Sequence, residues 1–521
     1  MSRESAEEDT QTSGDDNYDP KLKDLKLSTV EKLFVAAGTF IVVLVMVLIH
    51  HPELYTTQAA SNNVSLSRSA TDELLQGWAQ VEETNSYSTH FVGASPGSYN
   101  LDLNGLTLSS IGIGTYLGAE TEDEDKDITA AIYDGIMKGV NVIDTAINYR
   151  GMKSEKCVGN SLKTLFAPGT ADRPFAASRQ ALFICTKAGF IPVDSINKIS
   201  ASGFISRWSS AYLPSDNDPS DQFPTGEVVD GKHCIAPACL NSSLSMSRNN
   251  LGIETIDLFY IHNAAEKQLG SVDRPTFMKR LEASFAFLEQ ARAENKIRYY
   301  GMATWTCFTS EPDSPTHLSL YDVVALAESV GGKNHGFRYI QVPVTSTIPS
   351  AFSKRTQNGN TLLAAASSLN VNVVGSRSIG GGESDNFARA ENAFTKCVIS
   401  TDFLGDKKGK KGHLSAVAKS LLISRSVPDV VTSLVGMKTA IHVHENLGVW
   451  HLPLIPRDVM TNCMFGALSE SESPRTDTIP ITNLRSRVQK GRHKQTADRL
   501  HVHQNRQASA RKRGGVDRGA S

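Results

Sequence analysis

The chain has 521 residues, of which 40% are hydrophobic and 21% are charged. This balance is typical of a globular protein and excludes a disordered chain, a collagen and a disulfide scaffold, while the length allows one barrel-sized domain with extensions or two to three smaller domains. A net charge of −2 gives the whole chain no general affinity for nucleic acid. The seven cysteines form no CxxC pair and therefore predict no metal site.

The N-terminal region changes character abruptly. Residues 1–31 are polar and predict a disordered arm. Residues 33–49, LFVAAGTFIVVLVMVLI, are 17 consecutive uncharged residues, close to the length that spans a ~30 Å hydrocarbon core. We interpret residues 33–50 as a single-pass transmembrane anchor, with a buried helix or a cleaved signal peptide as alternatives. Since lysines precede this run and none directly follows it, the positive-inside rule predicts a cytosolic N-terminus and a lumenal or extracytosolic downstream chain.

Two further segments lack hydrophobic periodicity. Residues 51–100 are rich in Ser, Thr and Asn and predict a stalk or linker. Residues 469–521 predict a basic disordered tail, because eleven basic and two acidic residues lie between Arg485 and the end of the sequence. RNA or anionic lipid is the alternative role for this tail, and we expect no specific nucleic-acid partner.

Between these segments, residues 101–468 repeat an apolar run, a loop and an amphipathic helix. Strands alternating with helices indicate successive βαβ units, and eight strands predict a closed (β/α)8 TIM barrel of the α/β class. An open doubly wound sheet is the alternative, but the turn after the first strand is a poor match to GxGxxG. The predicted strands are 106–114, 141–147, 181–189, 255–262, 296–304, 338–345, 370–378 and 430–436.

Four titratable residues follow or end three consecutive predicted strands. Asp144 and Tyr149 belong to DTAINY, Lys187 to TKAG and His262 to YIHN. Because all strand ends of a parallel barrel face the same rim, we expect these four side chains to share a pocket.

Reversible carbonyl reduction is the chemistry that needs this set. Addition of a hydride to a carbonyl leaves negative charge on oxygen, which Tyr149 can neutralise as a general acid. We expect the Lys187 ammonium to lower the pKa of the Tyr149 phenol from ~10, Asp144 to pair with Lys187, and His262 to orient the carbonyl oxygen. Aldolase-type Schiff-base chemistry at Lys187 is a weaker alternative, since Asp144 keeps that lysine charged.

At these residues the sequence resembles the aldo-keto reductase family. The resemblance covers residues 106–450 and implies a (β/α)8 barrel, NADP(H) bound in an extended form at the carboxyl ends of the strands, and a catalytic tetrad of Asp144, Tyr149, Lys187 and His262. The chain departs from the family by placing Arg150 after the tyrosine, where glycine is commoner. The motifs that carry the resemblance are IGIGTYLG, DTAINYRGMKSE, TKAG, DLFYIH and HVHENLG.

The resemblance also implies cofactor-binding residues. Gln341 and Thr304 match positions that contact the nicotinamide carboxamide, although the usual Gly-x-Ser-Asn reads Gly-Met-Ala-Thr here. Glu445 and Asn446 match the pair that contacts adenine, and Lys438 is the nearest lysine to the 2′-phosphate position. NADP(H) is therefore the expected cofactor, and NAD(H) is not excluded. The seventh strand offers no aromatic residue to stack on the nicotinamide.

The leading hypothesis is a membrane-anchored NADP(H)-dependent oxidoreductase of an aldehyde, ketone or sugar carbonyl. The alternative is a non-catalytic or redox-sensing regulatory subunit on the same barrel, as in the potassium-channel β-subunits of the family. An insertion at 190–232 follows the third strand and is expected to form a lid or a substrate wall. Cys234 and Cys239 are compatible with a disulfide in an oxidising compartment or with two free thiols. The substrate and the oligomeric state stay open.

Overall fold

Alternating strands and helices close this chain into a barrel in the computed structural model, which describes residues 74–91, 97–167, 177–211, 223–382, 388 and 414–464. The predicted polar arm, the predicted anchor at 33–50 and the predicted basic tail lie outside these residues. Within the described parts of the chain, no helix is long and apolar enough to cross a membrane.

The barrel confirms the predicted TIM-type arrangement. The strands of the described residues are β1 Tyr99–Leu101, β2 Thr107–Ser109, β3 Ile111–Gly114, β4 Val142–Asp144, β5 Phe183–Ala188, β6 Ile256–His262, β7 Ile297–Ala303, β8 Phe337–Pro343, β9 Asn372–Ser376 and β10 Val430–Gly436. Eight of them pair in parallel in the cyclic order β10-β3-β4-β5-β6-β7-β8-β9, and an antiparallel hairpin, β1–β2, precedes them.

Helices surround the barrel, and several begin at capping residues. Thr121 accepts a hydrogen bond from the backbone N–H of Glu124 at the start of the helix Glu122–Met137, and Asp273 caps the helix Arg274–Ala293 in the same way through Thr276. The helices of the described residues are α1 Val81–His90, α2 Glu122–Met137, α3 Lys153–Leu165, α4 Ala201–Ala211, α5 Pro237–Leu251, α6 Ala264–Gln268, α7 Arg274–Ala293, α8 Leu320–Gly331, α9 Ser350–Ser353, α10 Leu362–Ser368, α11 Ala416–Ser426, α12 Ala440–Leu447 and α13 Arg457–Met464.

The period of two along each strand separates two hydrophobic cores. On β4, Val142 belongs to the small core inside the barrel, whereas Ile143 packs in the large core between strands and helices. On β5, Phe183 and Cys185 face inward while Ile184 faces outward. Continuing this alternation places the side chains of Asp144 and Lys187, like those of His262 and Gln341, on the inward face at the carboxyl rim.

The first predicted strand, 106–114, is two strands. The chain breaks at Ser110, whose N–H donates to the carbonyl of Ser98, so β2 belongs to the hairpin and only β3 enters the barrel. Leu106 and Leu108 pack with the inward residues of the barrel strands. The hairpin therefore covers the interior at the end opposite the rim, a role that apolar periodicity alone does not distinguish from a single long strand.

Part of the segment predicted as a stalk, 51–100, is folded onto the barrel. Tyr87 of α1 is fully buried and its hydroxyl donates to the carbonyl of Ile136. The N–H of Ala79 donates to Asp257 at 2.6 Å, and Arg298 stacks over the Trp78 ring at 4.3 Å. These long-range contacts hold residues 74–91 against the barrel. The polar composition of the segment gave no indication of these contacts.

The insertion at 190–232 leaves and returns beside β5. Phe190 and His233 form an antiparallel bridge, and the N–H of Ile191 donates to the carbonyl of Lys232 at 2.8 Å. Its described parts share a hydrophobic cluster with the loop after β4, including Ile147 and Met152. The described insertion is therefore a wall on one side of the rim.

Candidate active site

A buried ion pair connects β4 and β5 at the rim of the barrel. Lys187 is 0% exposed, and its Nζ donates to Oδ1 of Asp144 and, at 2.8 Å, to the carbonyl of Thr145. Gln341 on β8 donates its side-chain amide to Oδ2 of Asp144 at 2.8 Å. Burial alone would lower the pKa of Lys187, but the negative charge of Asp144 and the Tyr149 phenol raise it above its ordinary value. Lys187 is therefore an ammonium held in place from two strands.

Tyr149 lies directly beside that ammonium. The Nζ of Lys187 is 4.8 Å from the centre of the phenol ring. Burial raises the pKa of Tyr149, while the charge of Lys187 and its hydrogen-bonding interaction with the phenol lower it, and the net direction is upward. Lys187 lowers the pKa of Tyr149 as expected, but desolvation of the phenolate outweighs this effect, so the net direction is upward. The phenol is consequently protonated and able to donate.

His262 ends β6 beside the tyrosine. The two rings meet edge-on with centroids 5.9 Å apart, and His262 is 8% exposed. Burial, with the charge of Lys187 and the ring of His233, lowers the pKa of His262 well below its ordinary value, so the imidazole is neutral. Its buried Nδ1 has no partner among the described residues. A neutral imidazole carries one N–H, which suits it to orient a carbonyl oxygen.

Arg150, which follows the tyrosine where the family more often has glycine, is buried and connects two segments of the chain. It adopts φ 49°, the left-handed region, as do Gly151 and Met152 after it. Its guanidinium donates twice to the carbonyl of Ala119, at 2.6 and 3.0 Å, and forms an ion pair with Asp125 at 2.5 Å. Arg150 thus ties the turn that carries the tyrosine to the loop after β3.

Two residues predicted to contact the nicotinamide are already hydrogen-bonded. Gln341 reaches the Asp144 carboxylate, as described above. The hydroxyl of Thr304 donates to Oε1 of Glu266. Thr304 is also 6% exposed, so its hydroxyl hydrogen is committed inside the protein. The structure brings both residues to the rim, with Thr304 engaged by a carboxylate.

The residues predicted to bind the adenosine end cluster after β10. Lys438 forms a 2.8 Å ion pair with Glu124 at the start of α2 and stays partly exposed. Asn446 is buried and donates to the carbonyl of Gly436 at 3.2 Å, whereas Glu445 is exposed. The acidic partner of Lys438 lowers its availability to an anion, and this partner comes from a distant part of the sequence.

Glu266 is a rim residue that no sequence motif predicts. Its Oε1 accepts from the backbone N–H groups of Trp305, Thr306 and Cys307, at 3.0, 2.9 and 3.1 Å, in addition to the Thr304 hydroxyl. The carboxylate therefore shapes the turn after β7. Since Glu266 lies on the short helix α6, 38 positions before Thr304, no local pattern signalled this contact.

Together these groups form a proton-donating site at an open barrel rim. A protonated phenol lies beside a buried ammonium and a neutral imidazole, and a developing oxyanion needs donors of this kind. Tyr116 and Trp305 are exposed aromatic residues at the same rim, and Tyr116 contacts the Tyr149 ring edge-on at 5.0 Å.

One family profile and several solved structures are similar to this chain. The profile described as "Aldo/keto reductase family" matches residues 110–463. No curated protein sequence matches the chain. Similar solved structures include an aldo/keto reductase from Klebsiella pneumoniae in complex with NADP and acetate, with 15% identity and a TM-score of 0.44 over 70% of this chain and 94% of that one. Another is the glycerol dehydrogenase of Gluconobacter oxydans, with 17% identity and a TM-score of 0.43 over 71% and 94%. At these values the assignment depends on the family profile.

Proposed function

This chain belongs to the aldo/keto reductase family, and from that membership we propose that it is an NADP(H)-dependent oxidoreductase that interconverts a carbonyl and its alcohol by hydride transfer. The observation that carries the proposal is the position of the Lys187 ammonium, 4.8 Å from the centre of the Tyr149 ring and paired with Asp144. Burying an ion pair costs desolvation free energy, and Lys187 is 0% exposed. This pair lies against Tyr149, the group that must exchange a proton in the proposed reaction.

In the proposed reaction Tyr149 is the general acid. As the carbonyl carbon gains a hydride, its oxygen takes the proton of the phenol, and the resulting phenolate is stabilised by Lys187. The neutral imidazole of His262 donates its N–H to the same oxygen and orients it. Asp144 holds the ammonium in place. In the reverse direction the alcohol proton returns to Tyr149.

The rim residues fit NADP(H) in part. When bound, NADP(H) supplies or accepts the hydride. Gln341 would hold the carboxamide, because its amide oxygen is not used by Asp144, while Thr304 would have only an acceptor lone pair to offer. Lys438 would bind the 2′-phosphate after exchanging its Glu124 partner, and Glu445 with Asn446 would hold adenine.

A second candidate is a non-catalytic or redox-sensing subunit built on the same barrel. The engagement of the Thr304 hydroxyl by Glu266 favours it, because it removes one expected donor to the cofactor. Turnover decides between the two candidates.

We also propose that residues 33–49 anchor the protein in a membrane, with the barrel on the lumenal or extracytosolic side. The support is the 17-residue uncharged run and the disulfide between Cys234 and Cys239, a bond typical of oxidising compartments. Alkaline carbonate extraction and glycosidase treatment of the native protein test this. Full release by carbonate would contradict the anchor, and a glycosidase-sensitive mass shift would support the lumenal side.

The test of the activity uses the full-length protein. NADPH binding is followed by cofactor fluorescence, and oxidation of NADPH by absorbance with a panel of aldehydes, ketones and sugars. We expect Tyr149→Phe to bind NADPH with unchanged Kd and to lose about 100-fold or more in kcat, the scale of general acid catalysis. Tyr133→Phe, the same chemical change on α2, is the matched control and should keep full activity.

Two outcomes would contradict the proposal. A folded protein that binds no NADPH would overturn the cofactor assignment. Cofactor binding without turnover of the whole panel would favour the regulatory subunit over the enzyme.

A further inference from the structure

A second histidine, His233, lies directly behind the proposed carbonyl-orienting histidine. It is the residue at which the insertion returns to the barrel, and it is 1% exposed. Its Nε2 is 2.8 Å from the backbone carbonyl oxygen of His262. No sequence motif predicts a role for His233.

The hydrogen-bonding roles of this histidine are fixed by a chain of partners. Arg280 on α7 can only donate, and its Nη1 is 2.6 Å from Oε1 of Gln268, which fixes that atom as the amide oxygen. The Nε2 of Gln268 must then donate to Nδ1 of His233, at 3.1 Å. Because Nδ1 accepts, the proton of the neutral ring is on Nε2 and points at the carbonyl of His262.

The His262 carbonyl needs this donor because the neighbouring strand has ended. β5 stops at Ala188, and Gly189 turns away with φ +136° while its own carbonyl accepts from the N–H of Cys234 at 2.7 Å. A Cβ at Gly189 would lie 3.0 Å from both Nε2 of His233 and the oxygen of His262. The histidine side chain thus replaces a missing hydrogen bond of the strand ladder, next to a glycine at which the positive φ and the close neighbours would strain any side chain.

The same cluster also contacts the imidazole of His262. The Phe190 ring meets the rings of both His233 and His262 edge-on, with centroids 5.1 Å apart in each case. Cys234, the residue after His233, forms a disulfide with Cys239 on α5. The return of the insertion is therefore held from α5, α6 and α7, and it supports the catalytic histidine through its backbone and its ring.

We propose that His233 is a positioning residue for the reaction: it fixes the backbone of His262, and Phe190 beside it fixes the ring, so that the imidazole stays directed at the carbonyl oxygen next to Tyr149. This inference rests on the proposed function. It also gives the insertion a role beyond that of a wall, because the segment delivers the donor that holds the catalytic histidine.

The test compares three variants of the full-length protein. His233→Phe keeps a ring against Phe190 but removes the donor, whereas His233→Gln places an amide N–H where Nε2 was. His335→Phe removes another buried histidine, at the opposite end of the barrel, and is the matched control. We expect His233→Phe to lose about 10- to 100-fold in kcat, the cost of misplacing a reacting group, with an unchanged Kd for NADPH. His233→Gln should recover most of this loss, and His335→Phe should lose none.

A spectroscopic measurement separates this inference from the proposed function. In spectra of 15N-labelled histidine, His233 should show the tautomer protonated on Nε2, and the His262 signals should move in His233→Phe and return in His233→Gln. If no carbonyl is reduced by the unmodified protein, the proposed function fails and these signals still test the positioning.

Four results would overturn the inference: full kcat in His233→Phe, no recovery in His233→Gln, a proton on Nδ1 of His233, or unmoved His262 signals. If His233→Phe does not fold, as judged by its thermal unfolding, Gln268→Leu replaces it, because it frees Nδ1 and removes the constraint on the tautomer. Unchanged kcat and unchanged His262 signals in that variant would likewise overturn the inference.

Discussion

The side-chain amide of Gln341 lies 2.8 Å from Oδ2 of Asp144, so a residue of β8 completes the hydrogen bonding of an ion pair between β4 and β5. The residue expected to hold a cofactor carboxamide is thereby joined to the group that holds Lys187. The proposed cofactor contact of Gln341 and the proposed proton transfer beside Lys187 are therefore connected through a single carboxylate.

Replacing Gln341 should therefore affect two properties together. Gln341→Leu leaves one oxygen of a fully buried carboxylate without its donor, which costs about 1–3 kcal/mol of folding free energy. We expect this loss in urea unfolding, together with a higher Kd for NADPH. A Gln341→Leu protein with weaker NADPH binding but unchanged stability would contradict the connection through Asp144.

Removing the ammonium should be more damaging than removing the pair. Lys187→Met leaves Asp144 buried and unpaired, and we expect a loss of about 3–5 kcal/mol in unfolding free energy. The double variant Lys187→Met/Asp144→Asn removes the uncompensated charge and should be more stable than the single variant. Both should lack turnover. A double variant less stable than Lys187→Met would contradict the buried ion pair.

Arg150 should matter more than its neighbour Lys153, although both form ion pairs with Asp125, at 2.5 and 2.7 Å. Arg150→Met also removes both bonds to the Ala119 carbonyl and releases the loop after β3 from the tyrosine turn. We expect a loss of about 3 kcal/mol and a reduced kcat. Lys153→Met keeps the hydrogen bonds from Arg150 to the Ala119 carbonyl and is the control. Equal effects of the two variants would contradict a role for these hydrogen bonds in holding the tyrosine turn.

Glu266 should be replaceable by glutamine but not by alanine. Glu266→Gln keeps an oxygen that accepts from the backbone of the turn after β7, so stability and NADPH binding should stay close to those of the unmodified protein. Glu266→Ala removes the shared acceptor of three N–H groups, and we expect a loss of about 1–3 kcal/mol. Chemical denaturation of both variants measures the difference, and a Glu266→Ala protein as stable as Glu266→Gln would contradict the contact.

The buried His233 should make the fold acid-sensitive. Burial lowers its pKa from 6.5 to about 4 in the folded protein. Because the unfolded chain then binds the proton more tightly, the stability contribution is fully present above pH 6.5 and is lost as the pH falls towards 4. Between pH 7 and pH 5 this amounts to about 2 kcal/mol. His233→Gln has no proton to bind and should lose correspondingly less stability over that interval; an identical loss in both proteins would contradict the buried neutral histidine.

Strand parity explains how much of the site was predictable. Four of the predicted strands place a polar residue near the carboxyl end in register with apolar residues two and four positions earlier, as in Phe183, Cys185 and Lys187. A period of two then puts Asp144, Lys187, His262 and Gln341 on the same face of their strands as those apolar residues. The break at Ser110 was not predictable in this way, because the hairpin and the first barrel strand are both apolar and contiguous.

The sequence by itself predicted the barrel and the four residues of the proposed tetrad, because period-two and helical patterns are local and strand ends of a parallel barrel must meet. Its motifs, and not these periods, indicated the family. Only the tertiary structure decided the charge states and the supporting contacts. The pKa of Tyr149 depends on the balance between burial and Lys187, and burial is a property of the whole fold. Likewise His233, Gln268 and Arg280 meet behind His262, and Glu266 meets the turn after β7, through contacts between distant segments that leave no periodic signal along the chain.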